Sequence, residues 1–483
     1  MAADIDPNEH PPSDSEADAR RDLERQLRAQ LAAVTGGLAP EDYSQAFWNW
    51  YLNASREPDK QLALIQSAYA KALDTWQFAA RAATGAPTTS GAAPEPQGAS
   101  AFSNPAWNVW PFNLYARSYL NWASWMQEAL AAGSGGSQAD ATRMRFATQQ
   151  LLDAASPANF LQTNPELLEK TVQESGQNLV RGLQNWLEDA QSAFTGQRRR
   201  SGEFEVGRDV AITPGKVIYR NRLIELLQYA PQTESVYAEP VLITPAWIMK
   251  YYILDLSQRN SLVRYLVEKG HTVFVVSWKN PTSADRELGM DDYLKLGFED
   301  ALDAVSRVAP GRRAHAVGYC IGGTLLSIGA ASLAQRGDLR LASVTLLAAL
   351  TDFSEPGELS VFITPAQLAM LEAVMSQKGV LESERMAAAF TLLRSRDLLW
   401  APAVSNYIRG ERTKPNDLMA WNADGTRMPW RMHTEYLERL YLKNELAQGE
   451  FSAHGSRIEL KAIRAPMFVV GTETDHVAPW RAV

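Results

Sequence analysis

The chain has 483 residues, 46% of them hydrophobic and 21% charged, so it is long enough for more than one hydrophobic core. Its net charge of −8 provides no overall basic field for nucleic acid, and no apolar run approaches the roughly 18 residues that span a bilayer. The acidic, polar start is unlike a secretory signal, and a single cysteine forms no internal disulfide. These features favour a cytoplasmic protein without a transmembrane segment.

Residues 1–203 are predicted to form an all-helical N-terminal domain. Within it, 1–16 and 84–100 are polar or rich in Pro and Gly, and we expect them to be disordered or linker. A clear helix start is Asn164, a predicted N-cap, followed by Pro165 at the first helical position. Seven of the fourteen tryptophans fall in the first 125 residues. We favour a packed helical core for them over an apolar surface for a partner.

Residues 204–483 have a different sequence pattern, in which short β-branched runs alternate with helical stretches. This alternation predicts βαβ units and a parallel sheet, an α/β domain. The predicted strands are 241–244, 272–276, 313–317, 343–349 and 466–470. The last two are too far apart for one crossover, so residues from about 352 to 440 are predicted to form an inserted helical lid. Such an insertion would cover the carboxyl ends of the strands, where ligands bind in open α/β sheets.

The only cysteine lies in the sequence GYCIGG, residues 318–323, between a predicted strand and a predicted helix. Gly-x-nucleophile-x-Gly at such a turn is the pattern of a nucleophile elbow, with Gly318 and Gly322 making room for the sharp turn. The partial positive charge of the helix N-terminus is expected to favour a thiolate at Cys320. The backbone N–H of Ile321 is expected to stabilise an oxyanion. The alternative is an inert buried cysteine beside a tight turn.

A thiol at this position indicates a reaction type. An acyl-cysteine thioester retains the energy of an incoming thioester and can pass the acyl group to a hydroxyl. The sequence therefore favours acyl transfer from an activated thioester, such as an acyl-CoA, over hydrolysis, although a thiol hydrolase stays open.

An elbow nucleophile also needs an acid and a base, in the chain order nucleophile, Asp or Glu, His. Asp475 follows the strand at 466–470 and is the favoured acid, with Asp352 after the preceding strand as its rival. No histidine occupies the position expected for the base. The six histidines are His10, His271, His315, His433, His454 and His476. Because a further parallel strand needs roughly a dozen connecting residues, we expect the sequence to stop before its base.

From about residue 100 onward the chain resembles a class I polyhydroxyalkanoate synthase. The resemblance is strongest in the segments 204–229, 251–281, 318–326, 421–433 and 473–480. It implies a helical N-terminal domain and an α/β-hydrolase-like catalytic domain with a lid. It also implies a cysteine nucleophile at Cys320 and a catalytic Asp at Asp475. The family's catalytic His lies in a downstream Gly-His motif that this sequence does not reach.

The resemblance implies polymerisation of (R)-3-hydroxyacyl-CoA into a polyester with release of CoA. It further implies no cofactor or metal, a homodimer formed through the lid, and association with cytoplasmic polyester granules. The second oxyanion donor is expected from the loop 244–249, where Pro245 lacks an N–H and Trp247 is unusual for the family. Two alternatives remain: a cysteine hydrolase of the same fold, and a non-catalytic granule-binding protein.

Overall fold

The computed structural model describes residues 23–32, 35, 37–83, 99–133, 135–195 and 204–483. The segment 1–16, predicted to be disordered, lies outside the described residues. So does the predicted linker at 84–100, except that residues 99 and 100 belong to a short 3-10 helix, Ala99–Phe102.

Helices alone precede the first strand of the described chain. They are α1 (23–32), α2 (Pro40–Ser55), α3 (Pro58–Ala83), α4 (Phe112–Ala132), α5 (Gln138–Ala155), α6 (Pro165–Gln173) and α7 (Gln177–Thr195). The predicted start of α6 is confirmed. The side-chain oxygen of Asn164 accepts hydrogen bonds from the amides of Glu166 and Leu167, and Pro165 occupies the first helical position. A side-chain cap of this kind satisfies amides that have no partner within the helix.

The early tryptophans divide between the two interpretations. Trp107 is 1% exposed and packs in the core of the helical region, as we favoured. Trp48, Trp76 and Trp110 are more than half exposed, however. The helical region therefore has both a packed interior and an apolar outer surface.

The α/β part contains a seven-stranded sheet. Its strands are β1 (Gly215–Arg220), β2 (Ile224–Tyr229), β3 (Val241–Thr244), β4 (Val273–Trp278), β5 (Ala314–Tyr319), β6 (Leu341–Leu347) and β7 (Met467–Val470). The spatial order is β1-β2-β4-β3-β5-β6-β7. From β4 to β7 neighbouring strands are parallel, whereas β1 and β2 form an antiparallel hairpin and β2 pairs antiparallel with β4. The five strands expected from the sequence are confirmed to within two residues, and the hairpin is an addition to them.

The helices of this part surround the sheet and follow its carboxyl edge. They are α8 (Leu262–Glu268), α9 (Asp300–Val308), α10 (Ile321–Gln335), α11 (Pro365–Lys378), α12 (Ser383–Leu393), α13 (Asp417–Ala423), α14 (Trp430–Tyr436) and α15 (Glu445–Gln448). Wider π-helical turns adjoin them at Tyr293–Glu299, Arg396–Trp400, Val404–Ile408 and Leu437–Leu442. Every residue from Ile321 to Leu333 is buried, so α10 is the central helix of the fold.

We call the segment between β6 and β7 the lid, and the helical region holds it by buried polar contacts. Gln367 of α11 accepts a hydrogen bond from the Ala39 amide and donates one to the carbonyl of Gly37. Asp153 of α5 accepts hydrogen bonds from Ser395, at 2.6 Å, and from Arg396, at 3.1 Å. The helical region and the lid thus pack together as well as lying next to each other in the sequence. None of the described helices combines the length and apolar character needed to cross a membrane.

Candidate active site

The turn from β5 to α10 has the geometry of a nucleophile elbow. Cys320 lies between the strand and the helix with φ 54° and ψ −130°, a positive φ that a non-glycine residue rarely adopts. Its amide donates to the carbonyl of Leu347 in β6 at 2.9 Å, and its carbonyl accepts from the amide of Gly323 at 2.8 Å. These bonds to the sheet and to the helix hold the strained residue in place.

The two flanking glycines are required by close approach of the backbone. A Cβ atom at Gly318 would overlap the Cα of Gly323, and one at Gly322 would overlap the carbonyl oxygen of Thr244 in β3. A backbone atom cannot move aside as a flexible side-chain end can. The elbow therefore needs glycine at both positions, in agreement with the spacing in the sequence.

The helix N-terminus does favour a thiolate at Cys320, as expected, but burial outweighs its effect. Burial raises the pKa of the Cys320 thiol to about 11, and the charge of Asp475 adds to this rise. The backbone N–H of Ile321, which points to the sulfur as predicted, lowers the pKa but does not compensate. At neutral pH the thiol is therefore protonated, and an attack on a substrate needs a base to remove its proton.

The structure separates the two candidate acids. Asp475 follows β7, and its charge acts on the thiol of Cys320. Its partial burial is outweighed by hydrogen bonds from the amides of Ala478 and Val477, so its pKa lies below the ordinary value. The carboxylate is consequently ionised at neutral pH.

Asp352, the rival acid, is occupied elsewhere. Its carboxylate accepts hydrogen bonds from the amide of Ser354 at 2.9 Å and from the side chain of Asn444 at 2.8 Å. These bonds lower its pKa, and the bond to Asn444 joins the beginning of the lid to a part of it about 90 residues later. The arrangement favours Asp475 as the acid of the site and Asp352 as a structural residue.

No histidine among the described residues hydrogen-bonds to Cys320. His315 bonds to Ser343 at 2.7 Å, and His476 bonds to Arg394 at 3.0 Å. The ring of His454 lies 3.7 Å from the carboxylate of Glu299, and His271 lies against the ring of Tyr237. His10 lies outside the described residues.

His433 differs from these histidines because it lines the same cavity as Cys320. Burial lowers its pKa to about 4, so the ring is neutral at pH 7 and a weak base. The residue did not stand out in the sequence. Its only signal was its position in the segment 421–433 that carries the resemblance.

A cavity of about 190 Å³ lies over the elbow, between the sheet and the lid. Its wall is mainly aliphatic and aromatic, with Ile248 from the loop after β3 beside Cys320 and Ile321. The loop expected to contribute a second oxyanion donor therefore reaches the site. Trp247 of that loop is 1% exposed and packs against Trp278, Tyr293 and Tyr436, so this unusual residue belongs to the core behind the cavity.

Comparison with known proteins agrees with this geometry. Residues 99–266 match the family model described as the N-terminus of poly-beta-hydroxybutyrate polymerase (PhaC), and residues 239–483 match the alpha/beta hydrolase fold. The chain is 34% identical to poly(3-hydroxyalkanoate) polymerase 2 of Ectopseudomonas oleovorans, over 79% of this chain and 68% of that protein. This chain belongs to the poly(3-hydroxyalkanoate) polymerase family.

A second polymerase of the family is more similar in sequence. The poly(3-hydroxyalkanoate) polymerase of Methylorubrum extorquens is 42% identical over 78% of this chain, and the match spans 63% of that protein. Among solved structures, a putative lipase from Sulfolobus solfataricus aligns with a TM-score of 0.34 and 14% identity, over 55% of this chain and 93% of that one.

Proposed function

We propose that the chain transfers (R)-3-hydroxyacyl groups from CoA onto a growing polyester, with Cys320 as the nucleophile. The observation that carries the proposal is the strained elbow of Cys320 beneath an apolar cavity, in a member of a polymerase family. The substrate is a CoA thioester, and the reaction as proposed needs no cofactor or metal.

The reaction proceeds in two acyl transfers. The thiolate of Cys320 attacks the thioester carbonyl, the carbon–sulfur bond to CoA breaks, and CoA leaves as the thiol after taking up a proton. The hydroxyl of a second hydroxyacyl unit then attacks the acyl-cysteine, which releases the Cys320 thiol and forms an ester. The N–H of Ile321 points to the sulfur and is placed to stabilise the oxyanion of both steps.

Proton removal is the demanding part of this scheme, because the thiol has a pKa of about 11. The ionised Asp475 is suited to orient a histidine base or to help activate the attacking hydroxyl. The proposal extends to a homodimer formed through the lid and to a cytoplasmic location at the polyester surface. The exposed aromatic side chains of α2 and α3 are candidates for contact with that surface.

The proposal is tested by incubating the chain with 3-hydroxybutyryl-CoA at pH 9, where more of the thiol is ionised. We expect CoA release together with a mass increase of one hydroxybutyryl group on Cys320. The variants Cys320→Ala and Cys320→Ser, of which the second retains the shape of the side chain, should lose both signals. Normal CoA release by Cys320→Ala would contradict the proposal.

The products distinguish the alternative functions. A thiol hydrolase would release free 3-hydroxybutyrate, whereas a polymerase yields oligomeric esters. A non-catalytic granule-binding protein is favoured by one observation, the exposure of Trp48, Tyr69 and Trp76 on α2 and α3. Such a protein would bind polyester particles equally well as the Cys320→Ala variant and would release no CoA.

A further inference from the structure

One segment of the lid contributes three polar side chains to the wall of the mainly apolar cavity. His433 and Tyr436 lie one turn apart on α14, and Tyr441 lies in the π-helical turn that follows. Residues three apart on a helix share one face. We call these three residues the lid polar strip. They come from one continuous segment and line the cavity together with Cys320.

The lid polar strip is short of hydrogen-bond partners. His433 is 4% exposed and Tyr436 is 6% exposed; among the described residues Nδ1 of His433 has no hydrogen-bond partner, and the hydroxyl of Tyr436 interacts only with that of Tyr441. Two other polar side chains of the same cavity have hydrogen-bond partners. Thr324 donates to the carbonyl of Leu350, and Gln367 is bonded to the helical region. A buried polar atom without a partner is destabilising and needs an explanation, and a hydrogen bond to a ligand group supplies one.

The strip is close to the nucleophile. Besides burial, the charge of Cys320 raises the pKa of both Tyr436 and Tyr441, which places the two phenols near the sulfur. His433 lies one turn earlier on the same helix as Tyr436 and lines the same cavity. A ligand group that reaches the phenols and the imidazole is therefore in the same cavity as a thioester carbonyl at Cys320.

We propose that the lid polar strip binds the hydroxyl group at C3 of the acyl unit. This inference rests on the proposed function and adds the residues that distinguish a hydroxyacyl group from a plain acyl group. The C3 hydroxyl is two carbon atoms beyond the thioester carbonyl, so a thioester held at Cys320 keeps this hydroxyl in the cavity that the strip lines.

The chemistry of the strip suits a hydroxyl, which both donates and accepts hydrogen bonds. The imidazole of His433 is neutral at pH 7, so one ring nitrogen is an acceptor for the substrate hydroxyl. The phenols of Tyr436 and Tyr441 stay protonated and are donors. A site built to hydrogen-bond a hydroxyl rejects an analogue that lacks it, because its buried polar groups then stay unpaired.

The test measures binding without turnover, in the full chain with the substitution Cys320→Ala. The dissociation constants of 3-hydroxybutyryl-CoA and butyryl-CoA are compared by titration calorimetry. We expect 3-hydroxybutyryl-CoA to have a dissociation constant roughly ten-fold lower than that of butyryl-CoA, or lower still. Adding Tyr436→Phe, or separately Tyr441→Phe, should bring the ratio of the two dissociation constants close to one. The affinity for butyryl-CoA should stay within about two-fold of its value in the Cys320→Ala chain.

Tyr229→Phe is the matched control, because the hydroxyl of Tyr229 is buried and unpartnered but lies in β2, outside the cavity. It should leave the ratio unchanged. Equal affinities of the two thioesters before any lid substitution would overturn the inference and leave the proposed function standing. So would an equal loss of both affinities in Tyr436→Phe and Tyr441→Phe. Failure of both thioesters to bind at all would overturn the proposed function and this inference with it.

Discussion

Opposing influences act on the thiol of Cys320. The N–H of Ile321 stabilises the thiolate, whereas burial and the charge of Asp475 disfavour it, and the result is a pKa of about 11. Catalysis by Cys320 depends on a base that removes the thiol proton, because the elbow alone does not lower the pKa of the thiol to the neutral range. An unassisted thiol of this kind is also protected from adventitious oxidation and alkylation, because the thiolate is the reactive form.

The first prediction concerns the rate of alkylation of Cys320 by iodoacetamide, which is followed without interference because the chain has no other cysteine. Between pH 7 and pH 10 the rate should rise about ten-fold per pH unit, since the thiolate fraction does so below the pKa. Asp475→Asn removes a negative charge near the sulfur and should shift the profile to lower pH. Asp352→Asn, the control, should leave the profile in place. A plateau beginning below pH 8 in the unsubstituted chain would contradict the prediction.

At the residue scale, the sequence was sufficient to locate the elbow but not to predict the ionisation of its thiol. Two glycines around one cysteine, between a strand and a helix, are a local pattern. The pKa instead reflects burial, and several residues of the cavity wall belong to the lid, such as Phe390 and Tyr441, 70 or more residues farther along the chain. Local spacing contains no information about which distant side chains exclude water.

At the scale of the elements, strands with continuous β-branched runs were predictable and the hairpin of β1 and β2 was not. Strand β3, Val241–Thr244, is buried at all four residues, and the sequence VLIT shows this directly. Strand β1 is mostly exposed, and its sequence GKVIYR mixes charged and apolar residues. Such an edge strand is defined by pairing with β2 across the turn at Asn221, whose side chain accepts from the amides of Leu223 and Ile224.

The second prediction concerns the junction between α5 and the lid. Asp153→Asn removes the charge that binds Arg396 and replaces one acceptor oxygen, so we expect a loss of about 1–3 kcal/mol in the free energy of unfolding. Urea denaturation followed by tryptophan fluorescence measures this loss. Asp397→Asn is the control, because Asp397 is exposed beside the same junction. Coincident unfolding curves for the two variants would show that the junction contributes no stability.

At the scale of the whole molecule, β7 is the outermost strand on its side of the sheet within the described residues, and its side chains are apolar. Phe468 of β7 is 64% exposed, and its neighbours Met467 and Val469 are each 45% exposed. The sequence PMFVV has the character of a buried strand, so the strand was predictable and its exposure was not. An exposed apolar edge strand is a template for association with other chains.

The third prediction is that this edge makes the chain self-associate. Phe468→Lys introduces a charge into the apolar edge. It should lower the weight-average mass that analytical ultracentrifugation measures at micromolar protein concentration. Phe194→Lys is the control, because Phe194 is 93% exposed at the end of α7 and is not part of the sheet. An unchanged average mass in Phe468→Lys would exclude the edge as the contact.

The hydrogen bonds between the helical region and the lid have a consequence for access to the cavity. Asn178 of α7 donates to the carbonyl of Ile408, and Asn185 donates to that of Asn406, so the lid is fastened at this end as well as at Gln367 and Asp153. Any motion that admits a bulky thioester must break these links or carry the helices with it. Backbone amides of the lid and of α7 should then exchange with deuterium as one cooperative unit. The stability of the helical region would then determine how often the lid opens.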